Sequence, residues 1–292
     1  MITANGNAAT PRTWFVTGAS RGLGREFTEA ALRAGDQVAA VARDISPLHD
    51  LVAESRGRLL ALSADVTDRE ALFAAVGTAV DRYGRLDIVV NNAGFMAMGA
   101  VEEFTEAEAR AQMETNFFGA LWVSQAVMPQ LREQRSGHIV QISSIGGLLS
   151  GPTSGLYSAS KFALEGMSEA LAQEAASFGV KLTIVEPGGY WTDLYTTIRQ
   201  TTPIDAYAPM REELERQWAD GSVDSEPRLA AEALMKLVAS EDPPLRLLLG
   251  SAMFDIAVDT TRRRIDTWAG WEEVSRAAER AVPNPVLGAG GG

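Results

Sequence analysis

Short apolar runs alternate with longer amphipathic stretches from Arg12 to Glu186. The runs at 13–17, 37–42, 59–64, 87–91, 138–142 and 181–185 are rich in Val, Ile, Leu and Ala with few polar residues. That composition marks strands buried on both faces. Between them, 24–34, 69–83, 107–132 and 155–176 read as helices, the last stopping before Gly179. Repeated strand–helix–strand units imply right-handed crossovers and a parallel sheet covered on both sides. After Gly188 the alternation breaks, and 190–221 mixes aromatics, prolines and charges as one or two short helices over a loop. Regularity returns with a helix at 228–239, a strand at 245–249 and a helix at 255–268. No repeat or domain boundary is visible, so 1–292 reads as one α/β domain with about seven strands. Residues 1–11 are expected to be a flexible N-terminus, 190–221 a lid over a substrate site, and 283–292 a disordered tail.

Composition narrows the chemistry. The chain has 292 residues, 46% hydrophobic and 22% charged, ordinary values for a large globular domain. It has no cysteine, which removes disulfides, thiolate metal sites and cysteine nucleophiles. His49 and His138 lie far apart in the sequence and supply a zinc site or a serine–histidine triad poorly. No metal is expected, and acid/base work falls to Tyr, Lys, Asp or Glu. A net charge of −12 disfavours nucleic acid or an anionic membrane as the partner. The N-terminus lacks a basic-then-apolar signal pattern, and no apolar run approaches the ~20 residues of a membrane span. A cytoplasmic protein acting on a small molecule is the expectation.

The first strand leads into Thr17-Gly18-Ala19-Ser20-Arg21-Gly22-Leu23-Gly24. Glycines at 18, 22 and 24 let the backbone turn tightly and approach a ligand, and the next helix aims its amides and positive dipole end at a diphosphate. The second strand ends Val41-Ala42-Arg43-Asp44. An NAD site usually offers a carboxylate where Ala42 stands, whereas a 2′-phosphate wants an arginine. Arg43 and Arg21 therefore favour NADP over NAD. Asp44 relaxes that preference if a small backbone shift brings it to the ribose.

Further along, Ser143-Ser144 closes an apolar run, and Tyr157-Ser158-Ala159-Ser160-Lys161 follows. A four-residue step places the phenol and the ammonium on one helix face, one turn apart. A cation there stabilises the phenolate and is expected to draw the phenol pKa down from about 10.

These landmarks, with Asp65 after the third strand, Asn91-Asn92-Ala93-Gly94, Asn116 in a long helix, and Pro187-Gly188 with Thr192, stand in the order of the short-chain dehydrogenase/reductase family. The chain resembles that family's non-extended branch over roughly Arg12 to Leu194. The resemblance implies a Rossmann-like, doubly wound parallel sheet with helices on both faces. It implies Tyr157 as proton donor and acceptor, Ser144 holding the substrate oxygen, Lys161 on the nicotinamide ribose, and Asn116 binding a relay water. For the cofactor it implies Gly18, Ser20, Arg21, Gly22, Leu23 and Gly24 at the diphosphate turn and Arg43 at the adenosine ribose. Asp65 and Val66 fall at the adenine, with Asn92, Ala93 and Gly94 along the adenosine ribose and diphosphate. Pro187, Gly188 and Thr192 fall at the nicotinamide, beside Tyr157 and Lys161. It also implies a homodimer or homotetramer built on the helices that contain Asn116 and Lys161.

Candidate walls for the substrate are Phe95, Met96, Leu148, Leu149, Tyr190, Trp191, Tyr195, Tyr207, Met210 and Trp218. They are apolar and aromatic, without a cluster of cations to grip an acid. A bulky hydrophobic ketone or its secondary alcohol is the expected substrate. Two rival readings are a non-catalytic NADP-binding sensor on the same fold and an epimerase or dehydratase. The first need not retain an acid/base group, and the second suits the extended branch better.

Overall fold

The computed structural model describes residues 10–192, 197–219 and 224–280. The main sheet is built from β1 (Thr13–Thr17), β2 (Gln37–Ala42), β3 (Leu59–Ser63), β4 (Ile88–Asn91), β6 (Gly137–Ile142), β7 (Val180–Pro187) and β9 (Arg246–Leu249). Its order is β3-β2-β1-β4-β6-β7-β9, and every neighbouring pair is parallel. The chain winds outward from β1 in one direction and from β4 in the other. Such a doubly wound sheet opens a crevice beyond the C-terminal ends of β1 and β4. A separate two-stranded ribbon pairs β5 (Ala97–Met98) with β8 (Arg199–Gln200).

Strand alternation sends successive side chains to opposite faces. Trp14 and Val16 join Phe27, Leu32 and Leu234 on one side, where α1 (Gly22–Arg33) and α8 (Pro227–Leu237) pack. Phe15 joins Leu72, Val76, Val127 and Ile184 on the other, under α3 (Arg69–Tyr83), α5 (Gly119–Gln134) and α6 (Gly155–Ala176). All five residues of β1 are buried, as the unbroken apolar run requires.

The stretch expected as one helix at 107–132 is α4 (Glu106–Met113) and α5 joined by a π-helical turn, Glu114–Phe118. The wider turn accommodates Asn116, whose side chain is bonded to the backbone of Phe95. A short α2 (His49–Glu54) and the ribbon carry too few residues to show a periodicity. The segment after Thr192 holds β8, a 3₁₀ turn at Asp205–Tyr207 and α7 (Ala208–Ala219). Glu103 fastens it to the body: its carboxylate accepts from Thr201 Oγ1 (2.8 Å), the Ile204 amide (2.8 Å) and Arg211. The Arg211 guanidinium first, then the Ile204 amide, hold the Glu103 carboxyl well below the usual carboxylate range. The C-terminal part adds α9 (Ser251–Gly270) and α10 (Glu272–Ala277). Among the described residues no helix is long and apolar enough to cross a membrane. Residues 1–9, Tyr195 and the tail at 283–292 lie outside the described residues, as does the side chain of Trp218.

His138, buried on β6, has its Nε2 3.0 Å from Thr183 Oγ1. The Thr183 hydroxyl donates its own hydrogen to the Pro244 carbonyl (2.7 Å), so the imidazole is the donor and carries its proton on Nε2. Burial pushes its pKa from 6.5 to about 4. The unfolded chain therefore takes up a proton below pH 6.5 that the folded chain refuses. The stability from this site is complete above pH 6.5 and is lost as pH falls towards 4. Urea titrations at neutral pH and at about pH 4.5 are expected to differ by about 2–3 kcal/mol from this residue. His138→Gln should remove that component, and an unchanged pH slope would refute it.

Candidate active site

A cleft of about 940 Å³ lies along the C-terminal ends of the sheet strands. At its centre β1 runs into the glycine turn. Thr17 Oγ1 accepts from the amides of Asn92 (3.0 Å) and Ala93 (3.1 Å), and Asn92 Nδ2 donates to the carbonyls of Thr17 (3.0 Å) and Gly18 (3.3 Å). These bonds clamp the end of β1 to the end of β4. Gly18 has φ +64°, and a Cβ on it would stand 2.9 Å from the Cα of Ala93. Arg21 precedes α1 without any side chain capping the helix, so the first-turn amides face the cleft as an anion site. The backbone close approach and the uncapped helix fit a dinucleotide diphosphate. Gly24 does not line the cleft; it lets α1 pack on the turn.

One end of the cleft is lined by Arg21, Ala42, Arg43, Asp44, Asp65 and Val66. Asp44 Oδ1 accepts from the Ser46 amide at 2.9 Å, closing its own turn. Hydrogen bonding by the Ser46 side chain first, then by its amide, holds the Asp44 carboxyl below the usual value. Asp65 Oδ1 likewise holds Thr67, through the amide (3.0 Å) and the hydroxyl (2.9 Å).

The middle of the cleft is lined by Ser20, Gly22, Leu23, Asn92, Ala93, Gly94, Ser144, Tyr157, Lys161, Pro187, Gly188 and Thr192. Tyr157 and Lys161 are 8% and 5% exposed. Lys161 Nζ donates to the Ile142 carbonyl at 2.8 Å and lies 5.9 Å from the Tyr157 ring centre. The expected lowering of the phenol pKa is not what the structure produces. Burial pushes Tyr157 above its ordinary value, and the Ser144 hydroxyl draws it only partly back. Burial also pushes Lys161 down to about 8, against the opposing charge of Glu165. Spacing put the two groups on one face, but desolvation acts against the charged form of both. Ser144 Oγ also accepts from the Gly146 amide (3.1 Å), capping the turn Ile145–Gly147.

Asn116 is 1% exposed and stands behind the wall. Its Oδ1 accepts from the Phe95 amide (3.0 Å), and its Nδ2 donates to the Phe95 carbonyl (3.0 Å) and Ser160 Oγ (3.1 Å). A Cβ on Gly94 would lie 3.2 Å from Asn116 Oδ1 and 3.8 Å from Lys161 Nζ, so the glycine separates the two side chains by little more than its own backbone.

Of the expected substrate walls, Phe95, Met96 and Tyr190 line the cleft. Leu148, Leu149, Trp191, Tyr207 and Met210 do not; Trp191 is 73% exposed on the outer side. Tyr190 forms an isolated parallel bridge with Ser225, a long-range contact that an alternation count cannot register. Thr115, Thr197, Arg199 and Met253 line the cleft without having been singled out from the sequence. Met253 was recoverable: it follows β9, and every C-terminal strand end in such a sheet faces the crevice. Arg199 stacks its guanidinium 4.3 Å from the Phe95 ring centre and carried no local signal.

The short chain dehydrogenase family model matches residues 12–203. The chain belongs to that family and is an oxidoreductase of its type. It is 39% identical to the oxidoreductase BOA17 of Botryotinia fuckeliana, over 91% of this chain and 99% of that protein. It is 36% identical to a 3-ketodihydrosphingosine reductase of Bacteroides thetaiotaomicron, over 82% of this chain and 88% of that one. A short-chain dehydrogenase from Streptomyces avermitilis superposes with a TM-score of 0.86 at 41% identity, covering 94% of this chain and all of that one. Another from Burkholderia cenocepacia, solved with NADP, gives a TM-score of 0.71 at 28% identity, over 89% and 96% of the two chains.

Proposed function

We propose that this chain uses NADP(H) to interconvert a bulky hydrophobic ketone and its secondary alcohol. The observation that carries the reading is the convergence of Ser144, Tyr157 and Lys161 on one cleft with the glycine turn. A non-catalytic sensor has no need of that convergence. A nicotinamide dinucleotide, when bound, supplies or accepts the hydride. Gly18 and the start of α1 would hold its diphosphate, Arg21 and Arg43 its 2′-phosphate, and Lys161 its nicotinamide ribose, with Pro187, Gly188 and Thr192 beside the nicotinamide.

Tyr157 donates its hydroxyl proton to the substrate carbonyl oxygen in reduction and recovers it in oxidation. Ser144 donates a hydrogen bond to the same oxygen, fixing its approach and stabilising the charge that develops there. Asn116, held by Phe95 and Ser160, stands beside Lys161 across Gly94, where it would bind the water of a proton relay. The apolar flank of Phe95, Met96, Tyr190 and Met253 favours a bulky hydrophobic substrate. The name of the Bacteroides relative, a reductase of a keto group, agrees with that class.

Both parts are tested by titrating NADPH against NADH and screening a ketone panel. NADPH should bind more tightly, and bulky hydrophobic ketones should turn over. Arg43→Ala should weaken NADPH by about 10–100-fold, the worth of a charge-assisted phosphate contact, and leave NADH nearly unchanged. Equal binding of both dinucleotides with no effect of Arg43→Ala would sink the NADP assignment. Turnover restricted to small acidic or phosphorylated ketones would sink the substrate assignment.

A further inference from the structure

Positions 157, 161 and 165 form one stripe along α6, and the third is a buried carboxylate that the mechanism above leaves unused. Glu165 is 4% exposed. Its Oε1 accepts from the Ser143 hydroxyl at 2.7 Å, and its Oε2 lies 3.3 Å from both Nε and Nη2 of Arg246 on β9. Ser143 is the neighbour of Ser144, and its amide is itself bonded to the Val185 carbonyl (2.8 Å). The turn that Ser144 caps lies directly over this carboxylate: a Cβ on Gly147 would stand 2.0 Å from Glu165 Oε1 and 2.6 Å from Ser143 Oγ.

Behind Glu165, Arg246 also meets Glu169 (2.6 Å) and Glu186 (3.2 Å). Three carboxyl groups thus share one guanidinium. Glu186 is fully buried at the end of β7, and Arg246 is the only cation facing it among the described residues. Burial, then the Glu165 charge, push Glu186 up to about 8, so at neutral pH it holds its proton. Glu165 has donors aimed at both of its oxygens, the Ser143 hydroxyl at one and the Arg246 guanidinium at the other.

We propose that Glu165 is a positioning residue of the active site: it pins Ser143, and with it the turn that presents Ser144, and it sets its carboxylate one helical turn from Lys161 as the counter-charge of that buried ammonium. This rests on the reading of Ser144, Tyr157 and Lys161 as the reacting machinery. The groups around Lys161 are Tyr157 and Glu165 from α6, the Ile142 carbonyl and Ser143–Ser144 from the end of β6, and Asn116 across Gly94. Behind Glu165 stand Glu169, Glu186 of β7 and Arg246 of β9. Of these, the Glu165 charge is what raises the lysine against its burial.

The chain contains three lysines, Lys161, Lys181 and Lys236, so selective carbon labelling at lysine Cε gives three resonances to titrate in the full-length protein. Lys161→Arg assigns the first. Glu165→Gln keeps the volume and an acceptor for Ser143, removes the charge, and turns the atom that faces Arg246 into an amide donor. It should lower the Lys161 midpoint by about one pH unit, a sizeable part of what one nearby opposite charge supplies. Glu186→Gln, which removes a proton-bearing neighbour, should leave the midpoint where it is. With NADPH and a ketone, Glu165→Gln should lower kcat about 10-fold and move its alkaline limb down by the same unit, and Glu165→Asp should recover part of both.

An unmoved Lys161 midpoint in Glu165→Gln, or an equal shift in Glu186→Gln, overturns the counter-charge. If Glu165→Gln fails to fold, Ser143→Ala tests the positioning alone. A kcat lowered about 3–10-fold at unchanged KM for NADPH supports it, and an unchanged kcat overturns it. If the unmodified protein reduces no ketone, the functional reading falls, while the lysine titration still reads Glu165.

Discussion

Tyr157→Phe should lower kcat for ketone reduction by about 1,000-fold while leaving NADPH binding within about 2-fold, since a positioned general acid contributes 10²–10⁴. The substitution is close to a single-atom change. The ring keeps its seat against Gly146, where a Cβ would lie 3.1 Å from Tyr157 Cε1, and keeps its contact with Lys161. Only the hydroxyl that faces Ser144 is lost. Folding stability should therefore change little, and thermal denaturation separates that from a loss of chemistry. The direction of the pKa shift adds a second signature. Burial holds the proton on Tyr157 above the ordinary phenol range, so reduction should persist through neutral pH, and its alkaline fall should follow Lys161, which burial pushes down to about 8. Single-turnover oxidation of bound NADPH by the best ketone is the measurement. An undiminished rate would show that another group protonates the carbonyl.

Gly24→Ala should cost about 1–3 kcal/mol of stability, the usual range for overpacking, and weaken NADPH binding by about 100-fold or more. Its Cβ would stand 2.3 Å from the Gly18 carbonyl oxygen and 2.4 Å from Asn92 Nδ2, and those two atoms are bonded to each other. Neither can yield alone, because Asn92 also ties the ends of β1 and β4 through Thr17. The helix α1 must then lift from the turn, taking its first-turn amides away from the diphosphate. Gly77 in α3 is the matched control: a Cβ there meets nothing within 4 Å. Gly77→Ala should be neutral or stabilising by up to about 1 kcal/mol, the helix-propensity difference. Calorimetry of NADPH binding on both variants decides the matter. Tight binding by Gly24→Ala would mean that this turn is not the phosphate cradle.

Two features of segment 190–221 show where pattern reading reached its limit. Trp191 looked like a pocket residue by composition and position, yet it faces outward at 73% exposure. Arg199 was not singled out from the sequence, yet pairing of β8 with β5 brings it to the cleft and onto Phe95. The ribbon is two residues long on each strand, too short for any alternation to be read. The π-helical turn at Asn116 is a similar case. A helix was evident, but its wider turn depends on hydrogen bonds to Phe95, some twenty residues earlier in the chain.

The amino-acid sequence alone determined the parallel α/β architecture, the glycine turn at the end of the first strand, and the placing of Tyr157 and Lys161 on one helix face. Each follows from spacing within a few residues, and helix and strand periods convert such spacing directly into geometry. Only the tertiary structure decided the energies at those positions. Desolvation raises the Tyr157 pKa although a cation lies one turn away. Glu165 meets an arginine 81 residues further along the chain and a serine just past the end of β6. Burial and long-range contact belong to the packed molecule, and they set which of the groups that share a face hold their protons.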